Sequence, residues 1–255
     1  MIYNITLKAF QFFGKCLKRN VWFIEMSVIE PSANYIIGDI HEKIKSFDKN
    51  TFSLIYTNPP FVTTNKKWDK PLDWEMLFKE MDRVLKPNGV ILLHCAKPFT
   101  YDLIRYRKPN YNYTWIKTNP TNFFQAKKQP LRQVEEILVY YKNTHTYNPQ
   151  MNGTELMTNN RTNSYEGDLY YGNQKPNKSN HKGRFPTDFL GKFKRILQKN
   201  SPKSVDDEIT KKMILTYSNE NDLILDMTCC DKNNGNIAKE LKRNYIGVDI
   251  SDEYL

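Results

Sequence analysis

A chain of 255 residues can bury one sizeable core, and with 39% hydrophobic residues and a mean hydropathy of −0.69 it reads as a soluble protein with a wet surface. No run approaches the roughly 20 apolar residues of a membrane span. Lys8, Lys15, Lys18 and Arg19 interrupt the apolar clusters near the start, which argues against a secretory signal. The formal net charge is +10, and it is not evenly spread: residues 101–200 hold 17 Lys and Arg against 7 Asp and Glu, while the remainder balances at 21 of each.

Residues 1–33 read as an N-terminal appendage without clear organisation, and Met26 is an alternative natural start. Tyr35 to Asp39 reads as a short strand ending in a turn, with a short helix after it. Phe52 to Tyr56 is a β-branched and aromatic run, hence a buried strand. It stops at Asn58-Pro59-Pro60-Phe61. Trp74 to Leu85 carries apolar residues at helical spacing, and Lys86-Pro87-Asn88-Gly89 ends it. Val90 to Leu93 is a further strand, Pro98 to Tyr106 a helix, and Glu136 to Tyr141 a strand.

Residues 142–183, rich in Asn, Thr, Ser, Lys and Gly, read as a long loop or mobile insertion. Order returns with a helix over Asp206 to Tyr217, a strand over Leu223 to Asp226, a helix over Asn236 to Lys242 and a strand over Asn244 to Asp249. Alternating strands and helices predict an α/β fold with a doubly wound, mostly parallel sheet.

Three features carry chemistry. The two prolines withhold N–H donors, so their loop offers carbonyl oxygens, the Asn58 amide and the Phe61 ring, a set suited to gripping a planar base through an amino group. Asp226 and Asp249 end successive strands on either side of a helix, and an acid placed as Asp249 is, 23 residues further on, commonly holds ribose hydroxyls; a strand-end cap for a neighbouring helix is the bland alternative for each. Finally, Tyr106, Tyr111, Tyr113, Trp115, Phe123 and Phe124 interleave with Arg105, Arg107, Lys108, Lys117, Lys127 and Lys128, the pattern of a surface that neutralises phosphates and stacks on bases. A solvated lysine-rich surface is the competing reading. Cys16, Cys95, Cys229 and Cys230, like His41, His145 and His181, lack metal-ligand spacing, so no metal is expected and reduced thiols suit a cytoplasmic compartment. His94 and Cys95 read as core residues.

From about residue 34 onward the chain resembles the permuted β-type DNA amino-methyltransferases, which methylate the exocyclic nitrogen of adenine or cytosine. The resemblance rests on Gly38-Asp39, Asn58-Pro59-Pro60-Phe61, Thr63 to Asp69, Leu85 to Gly89, Lys97 to Thr100, Ala126 to Arg132, Glu135 to Val139, Tyr147 to Met151 and Arg184-Phe185-Pro186, all in one order. It implies a Rossmann-like fold dependent on S-adenosylmethionine, with the catalytic half (34–106) before a target-recognition region (107–190) and the cofactor half (191–255) last. It implies double-stranded DNA as partner and base flipping as the means of access. By the same resemblance Asn58 and Pro59 accept hydrogen bonds from the target amino group, Pro60 and Phe61 complete the pocket, and Phe61 stacks on the base. Asp39 would meet the cofactor's adenine, Asp249 its ribose and Asp226 the region near its methionine, with Thr228, Lys232 and Gly235 as further cofactor-binding residues. Asn at the first motif position goes mostly with adenine. Relatives of this kind are phage and restriction-type enzymes, so a cognate restriction endonuclease is a candidate partner. Monomer and homodimer both stay open, as does a viral or phage origin.

The cofactor loop departs from the family pattern. Where Pro-Phe-x-Gly-x-Gly-Thr-Thr-Gly is usual after the strand aspartate, this chain has Met227-Thr228-Cys229-Cys230-Asp231-Lys232-Asn233-Asn234-Gly235, with Cys230 and Lys232 at two glycine positions. Lys232 would either fill the cofactor's space or hold its carboxylate. A catalytically inactive, DNA-binding relative is therefore the alternative function. Lys203 matches the lysine ahead of the cofactor helix, but Ser204 replaces its proline. Arg132 and Glu135 stay open between a structural ion pair and DNA contact.

Overall fold

The computed structural model describes residues 30–161, 165–168, 172–174, 177–193 and 205–253. The appendage over 1–33, save its last four residues, and Lys203-Ser204 lie outside them. From Pro31 onward the chain belongs to one compact unit. Its elements are β1 (Ala33–Ile37), α1 (Ile40–Lys43), β2 (Phe52–Thr57), α2 (Trp74–Val84), β3 (Leu85–Cys95), α3 (Phe99–Tyr106), β4 (Tyr111–Thr121), β5 (Arg132–Tyr140), β6 (Asn152–Arg161), β7 (Tyr165–Asp168), β8 (Gly172–Gln174), β9 (Asn177–Arg184), β10 (Phe189–Phe193), α4 (Asp207–Tyr217), β11 (Leu223–Asp226), α5 (Asn233–Glu240) and β12 (Asn244–Asp249).

Eight strands form one mixed sheet in the order β1-β12-β11-β2-β3-β5-β4-β10. All neighbours pair in parallel except β5, which runs antiparallel to both β3 and β4. Side chains alternate between two cores, as a pleated strand requires. Leu54, Tyr56, Val90, Leu92, Ile137 and Val139 face α4 and α5. Ile55, Ile91, Leu93, Leu138 and Tyr140 face α1, α2 and α3. Helix α2 shows why the pattern works locally: Asp73 caps it by accepting the Met76 N–H at 3.1 Å, and Trp74, Leu77, Phe78, Met81 and Val84 bury one stripe.

β11 sits beside β2 in mid-sheet, and from this pair the chain winds outward in both directions. Ligands of open α/β sheets bind in the crevice at such a switch point, outside the carboxyl ends of the strands.

Three expectations need correction. Residues 142–183 are not a featureless loop, because Asn152–Arg161 pairs with Asn177–Arg184 in an antiparallel ladder. Backbone pairing needs no apolar side chains, so polar composition hid it. β3 begins at Leu85 rather than Val90, with an irregular register opposite Phe52 and Leu54. Tyr111–Thr121 forms a core strand, β4, that the basic and aromatic interleaving concealed. Among the described residues no helix is long and apolar enough to cross a membrane, and no cluster of His, Cys, Asp or Glu has the makings of a metal site.

Candidate active site

The switch-point crevice opens into a cavity of about 640 Å3. Every residue of β2 is buried up to Thr57, and the chain then emerges as Asn58-Pro59-Pro60-Phe61, all four lining the cavity. Phe61 lies nearly parallel to Phe99, centroids 5.3 Å apart, and Trp74 packs against Phe99 at 5.8 Å. Val62, next in the chain, is left-handed at φ 54, a conformation costing roughly 1–2 kcal/mol for a residue with a Cβ. Asp69, 6% exposed, offsets this strain: its carboxylate accepts the N–H groups of Val62, Thr63 and Thr64 at 2.7, 2.9 and 2.6 Å. Sequence reading assigned Asp69 no role.

On the cofactor side, Asp226 is 1% exposed and does not reach the cavity wall. Its Oδ1 accepts the Thr228 N–H at 3.2 Å, and its Oδ2 accepts from Asn234 Nδ2 at 2.9 Å and the Tyr245 hydroxyl at 3.0 Å. Burial raises its pKa above the ordinary carboxylate range, although hydrogen bonds from Asn234, Thr57, Thr228 and Tyr245 pull it down. Asp226 thus organises the loop, and Thr228, bonded to the Thr57 hydroxyl at 2.9 Å, faces the cavity.

Cys230 occupies the left-handed region at φ 58, where the family's glycine would be free of strain. Its N–H donates to Asp249 Oδ2 at 2.8 Å, and Ser251 N–H donates to Asp249 Oδ1 at 3.1 Å. Each oxygen keeps a second lone pair for a hydroxyl ligand. The Asp249 carbonyl accepts the Gly38 N–H at 2.8 Å, bringing Asp39 to the same cavity. Asp39 caps α1 through the His41 N–H, and chiefly this bond lowers its pKa. His41 accepts the Asp73 N–H on Nε2 at 3.0 Å, so its Nδ1 carries the proton that it shares with Asp39.

Lys232 is exposed, has ordinary backbone angles (φ −77, ψ −4) at the N-cap of α5, and stands outside the cavity lining. Gly235 sits inside α5. A Cβ there would lie 2.2 Å from the Tyr35 hydroxyl and 3.0 Å from the Tyr245 ring, so its glycine permits close helix–sheet packing.

Because β5 runs antiparallel, its beginning and the end of β4 reach the same edge of the sheet, where Lys117, Thr121, Asn122, Arg132 and Glu135 line the third wall. Lys117 was expected on DNA. Instead it is 4% exposed, with Nζ 2.9 Å from Glu135, eighteen positions away, so the structural ion pair left open for Glu135 is made with Lys117. Arg107 is likewise committed: it bonds Asp82 at 2.9 Å and lies over Phe78 and Tyr140. Tyr113 and Trp115 belong to the core. α3 runs back from the cavity edge, so exposed Arg105 and Lys108 sit with Arg107 toward the opposite edge. Exposed Lys127 and Lys128 lie in the β4–β5 connection, on the cavity side with Arg132, Phe123 and Phe124. His94, bonded to the Tyr56 hydroxyl at 2.9 Å, and Cys95 are core residues as expected.

A Rossmann-like sheet whose switch-point cavity joins an Asn-Pro-Pro-Phe loop to strand-end carboxylates defines the class of S-adenosylmethionine-dependent methyltransferases. Residues 52–255 match the DNA methylase family of N6- and N4-type enzymes, and the chain belongs to that family. It is 27% identical over 246 residues to the DNA adenine methyltransferase YhdJ of Escherichia coli K12, covering 86% of this chain and 79% of that protein. It is 24% identical to the type II methyltransferase M.HpaI of Haemophilus parainfluenzae, covering 86% and 71%. Its fold is similar to that of the cytosine-N4-specific PvuII DNA methyltransferase (TM-score 0.61, 15% identity, 88% of this chain and 84% of the other). It is also similar to that of M1.HpyAVI in complex with S-adenosylmethionine (TM-score 0.55, 18% identity, 88% and 95%). The protein is a DNA methyltransferase of the amino type, and S-adenosylmethionine is its methyl donor. The residues present fit that donor: the cavity has the size of a small-molecule site, the carboxylates of Asp39 and Asp249 line it, and Lys232 stands outside its lining.

Proposed function

We propose that the chain methylates the exocyclic amino group of adenine in double-stranded DNA, after the base leaves the stack. The observation that carries this reading is one cavity lined both by Asn58, Pro59, Pro60 and Phe61 and by Asp39, Thr228, Cys230 and Asp249. Bound S-adenosylmethionine supplies an electrophilic sulfonium methyl. The Asn58 side-chain oxygen and the Pro59 carbonyl accept the two amino hydrogens of the base, which turns the nitrogen lone pair out of conjugation. Phe61, backed by Phe99, stacks on the ring. Asp249 accepts from the ribose hydroxyls and Asp39 holds the adenine end. Asn58 at the first motif position and the adenine-methylating relative support adenine over cytosine.

In this reading residues 34–106 carry catalysis, 107–190 recognise the target and 191–255 bind the donor, a permuted order. DNA lies across the cavity mouth against Lys127, Lys128 and Arg132. Reversing Lys127 and Lys128 to Glu then weakens DNA binding at least tenfold more than reversing Arg105 and Lys108, as fluorescence anisotropy at fixed salt will read; roughly equal losses overturn this placement. The deciding experiment incubates the protein with unmethylated genomic DNA and labelled S-adenosylmethionine, then analyses the nucleosides. N6-methyladenine is expected. N4-methylcytosine corrects the base, and donor binding without any methylated nucleoside points to the inactive alternative.

A further inference from the structure

A buried carboxylate in the cavity wall has no part in the transfer described above. Asp69 Oδ1 accepts from Val62, and Oδ2 accepts from the Thr63 and Thr64 N–H groups and from the Thr64 hydroxyl at 2.7 Å. Three consecutive peptide N–H groups converge on one anion only when the backbone curls into a nest, and left-handed Val62 provides the bend. Nests commonly hold a bound anion; this one holds the chain's own side chain.

The result is a closed loop rooted at Phe61. Further bonds from Asp69 N–H to Lys66 O at 3.1 Å and from Lys70 N–H to Trp68 O at 2.9 Å tighten it. The far end is tied as well, since the Asp73 N–H is held by His41, which also grips Asp39. The whole stretch between Asn58 and α2 is thus fixed from both sides.

We propose that Asp69 is a positioning residue, whose brace holds Pro59, Pro60 and Phe61 in base-receiving geometry before DNA arrives. The inference rests on the methyltransferase reading above. It follows from the cost of misplacement: a shift of about 1 Å in a positioning group slows reaction on the order of 100-fold. Without the four bonds, nothing keeps β-branched Val62 in its left-handed well, and the residue beside it is Phe61.

The test measures single-turnover methyl transfer, S-adenosylmethionine affinity, melting temperature and trypsin cleavage after Lys66 and Lys67 in the full chain. Asp69→Ala is expected to slow transfer about 30- to 100-fold, with donor affinity within twofold, melting intact and cleavage faster. Asp69→Asn is expected to fall between Asp69→Ala and wild type, because its amide oxygen can still serve Thr63 and Thr64 while its NH2 group confronts Val62. Wild-type rates in Asp69→Ala overturn the proposal. So does a rate loss matched by equal losses of donor affinity and melting temperature, which marks a general structural role. If the wild type itself methylates nothing, the functional reading fails, and the cleavage assay still judges the brace: unchanged cleavage in Asp69→Ala refutes it.

Discussion

The catalytic and cofactor loops follow neighbouring, hydrogen-bonded strands, β2 and β11, and they are built alike. Each folds around a buried aspartate, Asp69 in one and Asp226 in the other. Each contains one non-glycine residue in the left-handed region, Val62 at φ 54 and Cys230 at φ 58. They differ in where the motif residues went. The catalytic loop keeps its motif and presents it to the cavity. The cofactor loop lacks two of the family pattern's glycines, and Asp226 and Asp249 hold its backbone through N–H groups that any residue supplies. Backbone hydrogen bonds anchor both loops, but the proposed chemistry draws on the side chains of Asn58 and Phe61 in one and on few side chains in the other.

Four substitutions break or sharpen this contrast. Asn58→Ala strikes the side-chain-defined loop and should cut methyl transfer by about 100- to 1,000-fold while leaving DNA binding near wild type; the scale is that of one lost transition-state hydrogen-bond partner. Persisting transfer would remove Asn58 from the reaction. Asp226→Asn strikes the backbone anchor and should destabilise the fold by roughly 1–3 kcal/mol in urea unfolding.

The same variant has a pH signature. Burial raises the Asp226 pKa in the native state, so folding takes up a proton there. The contribution of Asp226 is most favourable below its unfolded pKa of about 4 and declines as pH rises toward the shifted value. The stability advantage of wild type over Asp226→Asn should therefore shrink between pH 4 and neutrality, and an advantage that grows contradicts the assignment.

Cys230→Gly should relieve the left-handed strain and stabilise by about 0.5–1 kcal/mol, the strain removed less the entropy glycine adds. Calorimetry should find donor binding unchanged, since the Asp249 contact uses the backbone N–H. Lys232→Ala should have the smallest effect, with donor affinity within about twofold. A tenfold change in either direction would place the lysine side chain in the cavity after all.

Much of this arrangement is legible in the sequence. The strand before Asn58, the stripe of α2 and the paired strands ending in Asp226 and Asp249 follow from period and punctuation, and they suffice for the fold and the Asn-Pro-Pro-Phe site. What escaped had causes outside local pattern. Lys117 resembled a phosphate contact until β5 brought Glu135 beside it. Tyr113, Trp115 and Lys117 alternate inward along β4, and the polar Asn112 and Thr114 with the buried Lys117 masked that period. Asp69 is an ordinary loop acid in sequence, and its role exists only once three amides converge on it. Lys232 looked obstructive because an ungapped motif comparison places residues but not their backbone angles.

The strand order also constrains when the molecule can exist during synthesis. Among the described strands β1 is made first, yet its sheet partner is β12, the last of them. The strand at the switch point, β11, is likewise made after β1 to β10. A ribosome that has delivered everything up to the start of α4 has therefore made the catalytic loop but neither its neighbouring strand nor the cofactor wall. Such long-range pairing is slow to close, and the cavity comes into being only after β11 and β12 have been made.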